Sequence, residues 1–565
     1  METAKTADRS IWWLVLVVLA AAPVQFWGLT ARGFSDNEGM YAAAAQNMLL
    51  DHDWVTPHLN GAPYINKPPL IFWLIAPLFH VVGFTEAVRL ISGVSTLLTA
   101  AAIYAVAREL RPARPGVAVW SAVAFLTGVL TPVEGRTLRP DAVLFLCVTL
   151  SLLGALRLHR RPGDSLGGVL FWGGMGVGTM TKGLLGFVLP GLALVPSLLL
   201  AGEWRNWRRF VPWWGPGLFL GIVLPWHVLC ALQTPGFAWD YIVNQHVLFF
   251  LDKKFPRDSV PISLPVMYLS LAGRLLPWLT LLPVAFVQQY RLARASRSVR
   301  EWLLLSWFGT VVLFFSLNGG RQMHYTMPAI PAAAILAGIL CDRWAGERRS
   351  PSGLLTGLAL VALLGLLGVI LVGPILRATG ATTKAPGLSW VATQGCMLVA
   401  AGAGIATVLA KRNGPASALA CLAATFYLYS WATVRSLDAA AAFNSGREII
   451  ARARVPEFQG ATIAYEASRE YQVCGTYNFY LEKDVVLLDP GGFIPPTYLL
   501  EDARRLFTPK EAFWREWVAG RRRILLFTDP DQAMDRPADF PAPYYEVARG
   551  GNRRLLTNLP VRVRQ

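Results

Sequence analysis

The chain has 565 residues, 54% of them hydrophobic and 15% charged, with 52 Lys and Arg against 35 Asp and Glu. Soluble domains carry about 25% charged residues. Together with a mean hydropathy of +0.42, this composition excludes an ordinary soluble enzyme and a disordered chain alike. A net charge of +17 first suggests an acidic partner, but the positions of the charges say otherwise.

Crossing a bilayer takes about 20 apolar residues. About thirteen stretches qualify, at 11–29, 86–107, 115–132, 141–156, 166–180, 184–200, 211–232, 264–287, 302–317, 326–341, 354–376, 390–410 and 417–434. A further run at 68–82 is short and opens on two prolines, so it reads as an interfacial or re-entrant helix. The first span carries Trp12, Trp13 and Trp27 with no small-residue cleavage site, which excludes a cleavable signal peptide. Alternate connections are short and basic, such as Arg108, Arg111 and Arg114, or Arg205, Arg208 and Arg209. The positive-inside rule makes these cytoplasmic, along with the N-terminus. The remaining connections and the C-terminal tail then face outward.

From residue 437 onward there are 18 basic and 17 acidic residues, so the membrane part holds 34 against 18. The net charge therefore records topology and implies no nucleic-acid partner. Five of the six cysteines lie in spans and only Cys474 in the tail, which excludes a disulfide framework. The tail alternates strands (461–466, 485–489, 523–527) with a helix (510–518), and a hairpin is expected from 544–548 and 553–556. No phosphate-binding glycine loop is visible in it, and an accessory or lid role suits it. The sequence thus predicts a polytopic α-helical membrane domain over 1–436, with outward loops at 30–83 and 233–263, followed by an outward-facing α/β domain over 437–565.

The outward loops carry the candidate chemistry. The first holds Asp36 and Glu38 where the chain turns into a surface helix, and ends Tyr64-Ile65-Asn66-Lys67-Pro68-Pro69. The two acids suit an N-cap and first-turn position as well as catalysis. Lys67 suits a snorkelling interfacial lysine as well as an anion ligand. Arg139 and Asp141 stand at the start of the fourth span, either as an interfacial pair or as part of a polar cavity. Lys182 and Gly183 join the fifth and sixth spans. His246 and Lys254 lie in the loop at 233–263, where His246 is either a plain hydrogen-bonding residue or a metal ligand. Arg321, His324 and Tyr325 sit at the mouth of the tenth span.

Carboxylates and cations from distant loops thus converge on one face. That suits a substrate with a phosphate head and an apolar tail: cations hold the phosphate, spans hold the tail, and a carboxylate accepts a proton or orients a sugar. The reaction class is group transfer from a lipid carrier. A transporter or flippase of lipid-linked sugars is the alternative. Transporters concentrate ionisable residues near the midplane, whereas these gather at one face.

The motifs resemble those of the GT-C membrane glycosyltransferases of the protein-mannosyltransferase type, and within them the bacterial aminoarabinose (lipid A) transferase branch. The matching words are Asp36-Asn-Glu-Gly-Met-Tyr41, Asp53-Trp54-Val-Thr-Pro57, Tyr64-Ile-Asn-Lys67-Pro-Pro, Arg136-x-x-Arg139-x-Asp141, Thr181-Lys182-Gly183, Ser316 through Tyr325-x-x-Pro328, and Tyr477-Asn-Phe-Tyr480-Leu. The resemblance implies inverting transfer of a sugar from a polyprenyl-phosphate donor to a lipid or glycan acceptor, by a monomeric enzyme that sits among the membrane lipids of the bacterial inner membrane and whose outward loops and C-terminal α/β domain are periplasmic. It places catalytic acids at Asp36 or Glu38 and at Asp141, and donor-phosphate ligands at Lys67 and Tyr325, with Arg321 and Lys182 assisting. Arg139, His246, His324 and Lys254 complete the candidates. A divalent metal is left open, with His246 as its candidate ligand. Aligned on Tyr41, the family's Asp-Glu-x-Arg word reads Asn37-Glu38-Gly39-Met40. An arginine expected after His246 is Phe249, which leaves Lys253 or Lys254 to supply the charge.

Overall fold

The computed structural model describes residues 2–255, 261–379, 385, 387–441, 445–466, 471–489, 497–499, 506–528, 543–550 and 553–561. Among these, nine helices are long and apolar enough to cross a membrane, beginning with Arg9–Phe26 and ending with Pro415–Ala439. The other expected spans are shorter helices, Pro115–Leu126, Leu185–Ala201 and Leu264–Leu275, and a composite one. This last runs as Ser165–Gly168, a π-helical stretch Val169–Gly173, and Gly174–Lys182. The chain is a multi-pass membrane protein.

Two expected spans are broken, and prolines explain both. The stretch 264–287 divides after Leu275, where Pro277 follows, and a new helix Leu282–Ser296 starts with Pro283 in its first turn. Proline lacks the N–H that would continue the ladder and clashes with the preceding turn. The stretch 115–132 stops at Leu126, and a separate turn, Thr131–Gly135, starts with Pro132 near its N-terminus. The two breaks meet, with the Val129 N–H donating to the Leu276 carbonyl at 3.1 Å. Each loose end thereby satisfies a backbone group that lipid would leave unpaired.

The first loop is ordered. Its helix Asp36–Leu50 packs against Leu70–Val82, the helix expected from the proline-led apolar run. Between them, β1 (His58–Leu59) and β2 (Ala62–Pro63) form a hairpin. Its turn, Asn60-Gly61, has positive φ at both residues (51° and 76°), the pairing that a two-residue turn between twisted strands requires.

The tail is an α/β domain. Six strands are ordered β5-β4-β3-β6-β8-β7: β3 Thr462–Glu466, β4 Val486–Leu488, β5 Phe507–Thr508, β6 Ile524–Thr528, β7 Tyr545–Gly550 and β8 Arg553–Thr557. β5, β4, β3 and β6 are parallel neighbours, and β8 and β7 add an antiparallel edge. The expected strands, helix (Lys510–Ala519) and hairpin are all present. The sequence reading missed the two-residue β5 and the helix Gly475–Leu481 that crosses between β3 and β4.

That crossover helix is what docks the tail. A Cβ at Gly39 would overlap Thr476, and one at Gly475 would lie 2.5 Å from the Met40 Cα, so the two helices touch through glycine. Asn478 donates to Asn60 Oδ1 at 2.7 Å, and the Tyr480 hydroxyl donates to Glu86 at 2.6 Å. Overpacking such a contact costs about 1–3 kcal/mol. Gly475→Val is therefore expected to undock the tail, lowering the melting temperature and exposing the tail to limited proteolysis. A protease pattern like that of the parent would count against this docking.

Candidate functional site

At the end of the bundle covered by the first loop lies a cavity of about 580 Å³. Its wall joins residues far apart in sequence, among them Lys67, Arg139, Asp141, Lys182, His324 and Tyr325. Phe249, Phe250, Phe314 and Phe315 give it an apolar side.

Asp141 stands in the first turn of the helix Pro140–Arg160 and is 4% exposed. Lys182, the last residue of its own helix, donates to Asp141 Oδ1 at 2.6 Å. Gly183 stops that helix with φ +66°, where a Cβ would overlap the His246 ring. Glycine here meets two demands at once, a left-handed turn and a close neighbour. The Lys182 ammonium also lies 5.0 Å above the Tyr325 ring. Tyr325 in turn packs against Phe249 and Phe315. Burial, with Asp141 and Tyr41 nearby, pushes the Tyr325 hydroxyl above its ordinary pKa, so it remains a donor.

His324 Nε2 lies 4.0 Å from Asp141 Oδ1. Burial pulls its pKa down to about 3; Asp141 opposes this, while Lys182 and Arg139 add to it. It is therefore a neutral imidazole at physiological pH. Lys67 follows Asn66 on the segment before the two prolines and donates to the Asn66 carbonyl at 3.2 Å. The Asn66 side-chain oxygen accepts from Gln245 at 2.9 Å and from Tyr498 of the tail at 3.2 Å. Loop, second outward loop and tail thus meet behind Lys67. Gln472 adds a tail residue to the wall itself.

His246 is an anchor of the wall. The Leu184 N–H donates to its Nε2 at 3.2 Å, which leaves the proton on Nδ1, donated to the Tyr241 carbonyl at 2.5 Å. Burial lowers its pKa; the bond to Tyr241 opposes this, and the charge of Lys67 assists. With both nitrogens engaged, His246 does not fit a metal ligand. No group of three His, Cys, Asp or Glu able to hold a metal is found among the described residues.

Asp36 and Glu38, expected as catalytic acids, do not line the cavity. The helix Asp36–Leu50 instead turns Asn37, Met40 and Tyr41 into it, the i, i+3, i+4 face of the helix. Asp36 is ion-paired with Arg553 of β8 at 2.5 Å. Glu38 is fully buried and bonded twice to the equally buried Arg89, at 2.7 and 2.9 Å. It also accepts from the Leu138 amide and closes a capping box with Ser35. Arg321, expected to assist at the phosphate, lies outside the cavity wall, its guanidinium bonding the carbonyls of Ile262, Ser316 and Asn318. Lys254 sits 5.9 Å over the outer ring of Phe249 and is not part of the wall either. The first-loop acids and Arg321 therefore fix the frame of the site. Tyr41, Asn66, Gln245 and Gln472 were missed as site residues; for Tyr41 the helical spacing from Asn37 was the available signal.

A polar cavity at the end of a helical bundle, with an α/β domain contributing to its wall, accords with the expected GT-C membrane fold. Residues 66–228 match the family described as dolichyl-phosphate-mannose-protein mannosyltransferase. Two relatives from Pseudomonas fluorescens are named undecaprenyl phosphate-alpha-4-amino-4-deoxy-L-arabinose arabinosyl transferase. One is 31% identical over 356 residues, covering 60% of this chain and 58% of the relative. The other is 30% identical over 371 residues, covering 64% and 65%. The chain therefore aligns with under two thirds of either relative's length. The crystal structure of ArnT from Cupriavidus metallidurans bound to undecaprenyl phosphate superposes with a TM-score of 0.81 at 24% identity, over 97% of this chain and 98% of that one. The fold is thus shared from end to end. The resemblance read from the motifs holds as a resemblance: residues 66–228 match the mannosyltransferase family, and the chain is similar to the aminoarabinose transferases over part of their length.

The buried Glu38–Arg89 pair yields a pH test. Burial raises the pKa of Glu38, but Arg89, Arg32 and the Leu138 amide override it and hold it at about 2, below the ordinary 4.5. A depressed acid contributes stability in full above its unfolded pKa and loses it as pH falls through the folded one. Thermal stability is expected to fall between about pH 4.5 and about pH 2, and Glu38→Gln to flatten that fall. At neutral pH the variant should be less stable by about 3–5 kcal/mol, because Arg89 is left buried without its partner. An unchanged acid limb would contradict the assignment.

Proposed function

We propose that the protein is an inverting glycosyltransferase of the bacterial inner membrane, using a polyprenyl-phosphate sugar as donor at the periplasmic face. The acceptor is a lipid or envelope glycan, and the aminoarabinose transferases among its relatives favour a lipid. The observation that carries this reading is the Asp141–Lys182 pair at the floor of a cavity with one polar and one aromatic wall. A sugar on a phosphate fits the polar part, and the prenyl chain leaves along the phenylalanines.

In this reading the acceptor oxygen bonds the anomeric carbon as the bond from that carbon to the phosphate oxygen breaks. The electron pair stays on the phosphate, which departs as a monoester, and any proton on the attacking oxygen passes to Asp141. Lys182 orients Asp141 and keeps its carboxylate aimed into the cavity. Lys67 and the protonated Tyr325 hydroxyl hold the phosphate. Neutral His324 lies beside the carboxylate without competing for its charge. The tail acts as the cover that completes the wall, through Gln472.

Purified full-length protein, given a polyprenyl-phosphate sugar and envelope lipid, is expected to yield a sugar-modified product by mass spectrometry. Asp141→Asn is expected to reduce the rate by about a hundredfold or more and Lys67→Ala by about tenfold. Asp36→Asn should retain most of the activity of whatever fraction folds. Activity that survives in Asp141→Asn and disappears in Asp36→Asn would reverse the site assignment.

A further inference from the structure

Arg139 poses a problem that the mechanism above does not use. It is extended, with φ −146° and ψ 152°, just before Pro140 begins the next helix, as a residue preceding proline is required to be. An ion pair with Asp141 was the simplest expectation. Instead Asp141 is bonded by Lys182. The Arg139 side chain lines the cavity and makes no hydrogen bond or close ion pair among the described residues. A guanidinium cannot shed its charge, so a half-buried one facing a cavity is built to meet an anion.

The charge of the wall indicates which anion. Lys67, Arg139 and Lys182 are its cations and Asp141 its one acid among the described residues, with His246 and His324 neutral. The wall therefore carries two net positive charges. A sugar phosphodiester donor carries one negative charge. The prenyl phosphate that leaves carries two. The site is thus matched to the charge that appears during the reaction and not to the charge of the bound donor, which is the condition for an interaction to accelerate the chemical step.

We infer that Arg139 is a catalytic residue that takes up the second negative charge on the departing phosphate. This rests on the polyprenyl-phosphate reading above. As the anomeric C–O bond breaks, its electron pair settles on the phosphate oxygen, and the Arg139 guanidinium donates to that oxygen. The groups facing Arg139 are Asp141, Lys182, His324, Tyr41 and Arg32. His324 titrates near pH 3 and Tyr41 is pushed upward by burial, so neither changes charge in the neutral range.

The test uses the full chain and two probes: farnesyl phosphate, which gains its second charge near pH 6 as phosphate monoesters do, and its methyl diester, which stays singly charged. Dissociation constants are measured at about pH 5 and about pH 8. The parent is expected to bind the monoester about tenfold more tightly at the higher pH and the diester equally at both. Arg139→Gln should lose that gain and weaken the diester by a much smaller factor than the monoester at the higher pH, and Arg139→Lys should recover part of the gain. A full gain retained in Arg139→Gln would overturn the inference and leave the carrier reading standing. Equal loss of both probes in both variants would also overturn it, because the role would then be structural. Failure of the parent to bind either probe would overturn the inference and the carrier reading together.

Discussion

A carboxylate at the edge of a bilayer is tolerated only with a partner, since removing either charge from water costs several kcal/mol. Asp141 and Lys182 solve this for each other, and much of the site follows from that bond. It ties the start of one span to the end of another. It also sets Lys182 above the Tyr325 ring and holds His324 within reach of the same carboxylate. Because Asp141 is taken by Lys182, Arg139 is left to the cavity.

A second buried pair does comparable work for the frame. Glu38 and Arg89 join the first-loop helix to the second span, while the Leu138 amide brings the segment leading to Asp141 onto the same carboxylate. Asp36, one turn-position away, reaches across to Arg553 of the tail. The acids at the head of that helix therefore hold three parts of the chain in register, and its next face is free to carry Asn37, Met40 and Tyr41 into the cavity. The buried carboxylates of Asp141 and Glu38 differ in what surrounds them. Asp141 is paired but faces open volume, whereas Glu38 is enclosed on every side.

The positions of the spans were legible because apolar length and the alternation of basic loops follow directly from the bilayer. The tail strands were legible from their run lengths and bounding glycines and prolines. The breaks after Leu126 and Leu275 were written in Pro132, Pro277 and Pro283, but composition windows average across them. Lys67, Asp141, Lys182, His324 and Tyr325 were legible as outward polar residues in motif words. What the sequence does not encode locally is pairing. Nothing near Asp36 points to Arg553, 517 positions away, and nothing near Glu38 names Arg89. The same limit hid the Asn66 junction with Gln245 and Tyr498, and the bonds of Arg321 Nε and Nη1 to the carbonyls of Ile262, Ser316 and Asn318.

The central claim is that the phosphate of a prenyl carrier sits in the cavity between Lys67, Arg139 and the Asp141–Lys182 pair. A structure of the full chain determined with a polyprenyl phosphate tests it directly. The account predicts phosphate density within hydrogen-bonding distance of Lys67 and Arg139, with the prenyl chain leaving past Phe249 and Phe314. Phosphate density beside Asp36 or Arg553, or anywhere outside that cavity, would contradict it.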